Sequence, residues 1–187
     1  GMTRATPALG AAAVNTAPVS PQTYAAMAVG TAATNRFVLA FAANWFSVDA
    51  RTQGATATIG GVSAPKTVGK RCLVTNGNWL ETSMYVAAVP TGTTADVIIT
   101  TSGSSTAGAV ATVPLADLDT GEPFSTSAVN TDAVGGTAQF TMDIAAGGAA
   151  VFGCGYATIT GNNKRFSNAL ITSGSLITVH VRCTTSG

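Results

Sequence analysis

The sequence predicts an all-β protein, a two-layer antiparallel β-sandwich of jelly-roll or immunoglobulin-like type with about nine to ten strands. Three observations support this fold class. Short segments with apolar residues at alternating positions recur along the chain, separated by turns rich in Gly and Asn. No segment shows the 3.6-residue periodicity of an amphipathic helix. Charged residues make up only 9% of the chain, and the polar surface comes from Ser, Thr, Asn and Gly, of which Thr favours strands.

The pattern divides the chain into an extended N-terminal arm, residues 1–20, and a single sandwich domain, residues 21–187. The arm is rich in Ala, Thr and Pro and has no periodicity. The domain is long enough to bury a core without disulfides or metals. Its first strand is expected at residues 24–29.

The clearest strand covers residues 36–45. Phe37, Leu39 and Phe41 fall at spacing two, and small residues occupy most positions between them. This alternation predicts a strand in the middle of a sheet, with one heavily buried face.

The remaining strands follow from the same alternation and from turn residues. Gly60-Gly61 predicts a tight turn, and Pro90-Thr91-Gly92 predicts a hairpin between its flanking strands. An irregular strand is expected at 110–115, followed by an extended surface connection to residue 136. The other expected strands are 56–59, 71–74, 83–89, 96–101, 137–144, 149–158, 166–172 and 176–183.

Charge and cysteine content exclude several classes of function. The formal net charge is +1, without the basic stripe that nucleic-acid binders use to neutralise phosphates. The longest apolar run, residues 37–46, is too short to span a membrane. Cys72, Cys154 and Cys183 are an odd set without C-x-x-C spacing, which fits folding in a reducing cytoplasm. No secretory leader is recognisable. The nearly neutral surface offers little electrostatic repulsion between copies of the chain and so favours self-association.

Candidate catalytic residues are few. His180 is the one histidine, in an alternating strand between Val179 and Val181, and no Gly-x-Ser-x-Gly elbow precedes it. An ordinary strand histidine is the favoured interpretation, and the sequence predicts a protein that is not an enzyme and needs no cofactor.

One acidic cluster resembles a calcium-binding loop. Asp117, Asp119 and Glu122 place oxygen ligands close together, with Gly121 for the bend. The loop lacks the third alternating acid and the distant Glu of the complete motif. Calcium binding and a solvated acidic loop are therefore both open.

A second candidate site is a sugar-binding turn. Trp79 follows Asn76 and Asn78 at a turn, where an exposed aromatic ring can stack on a sugar and amides can bond its hydroxyls. The alternatives are that Trp79 caps the core under a loop and that Trp45 plugs the edge of the sandwich.

Segments 30–36, 58–64 and 84–94, followed by Ser102-Gly103, resemble small β-sandwich proteins of bacteriophage and prophage structural-gene regions. The resemblance covers residues 24–103 and a later hairpin at 145–156. It implies a virion-associated protein of the tail, fibre or capsid surface that contacts its own copies or other virion proteins. It also implies synthesis in the cytoplasm and release by lysis. A lectin-like carbohydrate-binding module is the alternative function.

Overall fold

The computed structural model describes residues 10–46, 55–73, 79–103, 107–116, 137–142, 149–157, 164–172 and 177–182. These residues form thirteen strands and no helix. The strands are β1 (Ala12–Asn15), β2 (Gln22–Ala28), β3 (Phe37–Phe46), β4 (Ala55–Ile59), β5 (Val62–Ala64), β6 (Lys66–Leu73), β7 (Trp79–Ala88), β8 (Thr94–Thr101), β9 (Ala107–Leu115), β10 (Thr137–Met142), β11 (Ala149–Ala157), β12 (Lys164–Thr172) and β13 (Ile177–Arg182).

Nine of these strands form two packed antiparallel sheets, which confirms the predicted β-sandwich. The larger sheet has the order β1-β9-β3-β7-β6, and the smaller has the order β2-β8-β4-β5. The core between the sheets is built from Tyr24, Val38, Ile59, Tyr85 and Val97, among others. Because one apolar face of each sheet is removed from water, this core is the main stabilising feature of the fold.

Strand β3 lies at the centre of the larger sheet, as its sequence predicts, but both of its faces are buried. Val38, Ala40 and Ala42 face the smaller sheet. Leu39 and Phe41 lie in a second apolar cluster on the opposite face. The expectation of one heavily buried face was therefore incomplete, because the small residues between the large ones also pack against a layer.

The second apolar cluster continues across the outer face of the larger sheet to Met84, Val113 and Leu115. Strands β11 and β12 pair with each other antiparallel, and β11 lies against β7 and β3 while β12 lies against β9. Strand β10 pairs separately with β13. The sandwich therefore has a two-stranded ribbon against part of its outer face, as an apolar outer face requires.

Two local expectations were wrong or incomplete. Strands β7 and β8 belong to different sheets, so Pro90-Thr91-Gly92 is an arch between layers and not a hairpin loop. Within the predicted arm, residues 12–15 form β1 and pair with β9. In contrast, Gly60 and Gly61, with φ of 59° and 77°, do close the β4–β5 hairpin as expected.

Candidate functional site

One end of the sandwich is closed by a buried arginine. Arg36 is 1% exposed and precedes β3. Its guanidinium donates to four backbone carbonyl oxygens, with Nε to Val89 at 2.6 Å and Nη2 to Thr91 at 2.7 Å. Nη1 donates to Gly30 at 2.8 Å and to Gly92 at 2.9 Å. The β2–β3 loop and the β7–β8 arch are therefore bound to the same side chain.

The chemistry at this end is structural. Burial lowers the pKa of Arg36, but a guanidinium keeps its charge in proteins, so charge-assisted bonds to carbonyl dipoles must compensate for its lost hydration. A backbone bond from the Val89 N–H to the Arg36 carbonyl, 3.1 Å, closes the same contact. The donors of the Arg36 guanidinium are therefore directed at the protein's own backbone.

The opposite end contains a buried polar cluster between the sheets. Gln22, 1% exposed, accepts at Oε1 from Asn44 Nδ2 at 2.9 Å and from the Tyr24 hydroxyl at 3.1 Å. Gly108 faces this cluster, and a Cβ there would lie 2.5 Å from the Tyr24 hydroxyl oxygen. Burial raises the pKa of Tyr24 well above its ordinary value, so its hydroxyl keeps the proton that it donates.

A second polar group lies along β6 and β7. Lys66 Nζ forms an ion pair with Glu81 Oε1, and the Ser83 hydroxyl donates to the same oxygen at 3.2 Å. Glu81 and Ser83 are both buried. The carboxylate is matched by the ammonium of Lys66, so we assign this group to the stability of the sheet.

The sugar-binding candidates are placed only in part. Trp79 begins β7, is half-buried and lies opposite Phe46 of β3 in the sheet register. Asn76 and Asn78 lie outside the described residues. Trp45 is the next-to-last residue of β3 and is 8% exposed, so it belongs to the apolar interior. Of these aromatic candidates, Trp79 alone retains a partly exposed surface.

The calcium candidates Asp117, Asp119 and Glu122 also lie outside the described residues. Within the described ranges, no three His, Cys, Asp or Glu side chains lie close enough together to hold a metal ion. His180 lies in β13, opposite Gln139 of β10, in the alternating strand that the sequence predicts. Its lack of a catalytic role stays a prediction.

One side of the sandwich, formed by two sheet edges, was not predicted from the sequence. Strand β1 is an edge of the larger sheet, β2 is an edge of the smaller one, and the two strands lie together. No charged residue occurs from residue 5 to residue 35. Val14 is 66% exposed on β1, and Val19, in the connection to β2, is 42% exposed. We call residues 10–28 the uncharged side.

The other three edge strands of the two main sheets, β6, β5 and β2, each carry a feature that discourages edge-to-edge pairing. Strand β6 contains Lys66, Lys70 and Arg71, and β5 has only three residues. Strand β2 has a bulge between Tyr24 and Met27, where Ala26 adopts a φ of 50° and its N–H donates to Asp96 at 2.8 Å. Strand β1 has neither charge nor bulge. The run without charges was the sequence signal for this surface.

Searches against family models, curated proteins and solved structures found no match to this chain. In the part of the chain that the structure describes, no helix has the length and apolar character needed to cross a membrane.

Proposed function

We propose that this protein is a non-enzymatic structural or surface-binding protein that works by contact with copies of itself or with other virion proteins. The observation that supports the proposal best is the uncharged side, where Val14 and Val19 are exposed beside an edge strand without protective charges. Charged residues are depleted at the centres of protein interfaces, so such a surface favours association.

The buried polar chemistry is consistent with this proposal. Arg36 bonds to backbone carbonyls, Gln22 links Tyr24 to Asn44, and Glu81 bonds to Lys66 and Ser83. Each of these polar side chains contributes to holding strands together. In an enzyme, at least some buried polar groups are instead directed at a space where substrate binds.

Solution mass tests the proposal. Light scattering on a sizing column, over a hundredfold range of protein concentration, should give a closed symmetric oligomer of the 18.5 kDa chain. A monomer at every concentration, together with failure to bind any virion component offered, would contradict the proposal. The virion context rests on the resemblance of segments 30–36, 58–64 and 84–94 alone, and copurification with virions tests it.

A carbohydrate-binding module is the second candidate, because Trp79 is a half-buried aromatic residue at the beginning of β7. An aromatic ring that is partly exposed beside a turn can stack on the apolar face of a sugar. Under this alternative, Trp79→Ala abolishes retention on a glycan array and leaves the solution mass unchanged. The matched control is Trp45→Phe, because Trp45 is buried and makes no surface for a sugar.

A further inference from the structure

Among the strands that the structure describes, β1 pairs on one side only, with β9, and its remaining backbone groups follow a defined pattern. The Thr112 N–H donates to the Ala11 carbonyl at 3.0 Å, and Ala13 lies opposite Val110 in the same register. Because antiparallel ladders alternate, Ala11 and Ala13 occupy the positions bonded to β9. Ala12 and Val14 therefore direct their N–H and C=O groups away from the sheet.

We propose that β1 pairs antiparallel with β1 of a second copy of this chain, around a twofold axis at Ala13. In this register Ala12 lies opposite the second copy's Val14, and Val14 lies opposite its Ala12. Both residues have outward N–H and C=O groups, so the pair forms four backbone hydrogen bonds. The two larger sheets then join into one continuous ten-stranded sheet.

The partner is a second copy because the edge is complementary to itself. A twofold axis places each residue near its own equivalent, so a charged edge would repel its copy. Strand β1 has the sequence Ala-Ala-Val-Asn, without charge and with small side chains that do not obstruct close approach. A charged partner would find no complementary group here. This inference rests on the proposed function and specifies which surface self-associates.

The direct test is a lysine at the edge. Val14→Lys should reduce the light-scattering mass from a multiple of 18.5 kDa to the monomer mass, because the substitution puts charges near the twofold axis. Val62→Lys is the matched control, since Val62 is 41% exposed on edge strand β5, and it should leave the mass unchanged. Ala12→Pro removes an outward N–H without touching the bonds to β9, and should also give monomers.

Cross-linking tests the register. With the axis at Ala13, the two Ala13 Cα atoms lie at roughly 4.5 Å, within disulfide range. Ala13→Cys should therefore give an additional cross-linked dimer on oxidation that the unsubstituted protein does not give. Val14→Cys should not, because its two copies lie on opposite sides of the axis, beyond about 7 Å.

The possible outcomes separate the two proposals. If the unsubstituted protein is oligomeric and Val14→Lys and Ala12→Pro retain the oligomer, this interface is wrong and the proposed function stands. If the unsubstituted protein is monomeric at every concentration, the interface is wrong as well. If Ala13→Cys fails to cross-link while Val14→Lys dissociates the oligomer, β1 is the interface but the twofold axis at Ala13 is wrong.

Discussion

Arg36 and Val89, which are 53 positions apart in the sequence, form two hydrogen bonds with each other. Arg36 Nε donates to the Val89 carbonyl at 2.6 Å, and the Val89 N–H donates to the Arg36 carbonyl at 3.1 Å. The pair joins the residue before the beginning of β3 to the residue after the end of β7. This contact brings together two glycine-containing segments, 30–36 and 84–94, that are distant in the sequence.

Replacing Arg36 should destabilise the whole domain. Arg36→Met leaves four carbonyl acceptors without their donor, and each buried unsatisfied group costs about 1–3 kcal/mol. We expect a loss of more than about 3 kcal/mol in the free energy of unfolding, measured by urea denaturation. Thr91→Ala is the control: it keeps the carbonyl that Arg36 contacts and removes only an exposed side chain. Equal stability of the two variants would contradict the role given to Arg36.

Gly108→Ala should disturb the polar cluster of Gln22, Tyr24 and Asn44. The added Cβ would overlap Gln22 Oε1 and lie 2.9 Å from Asn44 Nδ2. Such overpacking costs about 1–3 kcal/mol. Adding Gln22→Ala removes the closest obstacle, so the double variant should lose less stability than the sum of the two single changes. Strict additivity in a denaturation cycle would show that Gly108 and Gln22 do not interact.

Thr112→Val should weaken the attachment of β1 to the rest of the sandwich. The buried Thr112 hydroxyl accepts from the Ala11 N–H at 3.2 Å and donates to the Ala28 carbonyl at 2.7 Å, so it joins β1, β9 and β2. Loss of the hydroxyl should cost about 1–3 kcal/mol and accelerate amide exchange at Ala11 and Ala13. Thr112→Ser keeps the hydroxyl and should retain most of this protection. Unchanged exchange in Thr112→Val would contradict the assignment.

Because Tyr85 is buried, the free energy of unfolding should fall at alkaline pH. Burial raises the pKa of Tyr85 to about 12; the neighbouring Ser83 side chain acts against this rise, and the negative charge of Glu81 adds to it. The unfolded chain releases this proton near pH 10 and the folded chain does not, so stability is complete below about pH 10 and falls as the pH rises toward 12. Tyr24 acts in the same direction.

Tyr85→Phe isolates this effect. Among the described residues, the Tyr85 hydroxyl is a buried polar atom without a hydrogen-bond partner. Removing it should leave stability at pH 7 equal or higher, because the Ser83 hydroxyl beside it already donates to Glu81 and the Tyr85 hydroxyl makes no hydrogen bond of ordinary geometry. The variant should also lose less stability between pH 9 and 11 in urea denaturation. A clear loss of stability at pH 7 would show that the hydroxyl makes a bond.

The sequence predicted the local structure well because strands and turns depend on short-range patterns. The alternation around Phe41 located β3, and Gly60-Gly61 located the β4–β5 turn. The partners of each strand could not be predicted in the same way. The segment around Pro90 has the sequence pattern of a hairpin loop. Only long-range packing, however, determines that β8 pairs in the other sheet and not with β7.

The four hydrogen bonds from Arg36 to backbone carbonyls could not be predicted from the sequence, for a physical reason. A charged residue beside a turn is usually solvated, and nothing local distinguishes four carbonyl partners from four water molecules. The available signal was that Arg36 is the only charged residue between Arg4 and Asp49. The uncharged side was missed because an extended arm and an edge strand have the same composition until a partner such as β9 is known.

Amide hydrogen exchange at Ala12 and Val14, measured by NMR over a range of protein concentrations, tests self-association through β1 most directly. Both N–H groups face away from β9, so in the monomer they exchange freely. We predict that their protection rises with protein concentration, while protection of Ala13, which is bonded within the sheet, changes much less. Rapid exchange of Ala12 and Val14 at every concentration would contradict the proposed interface.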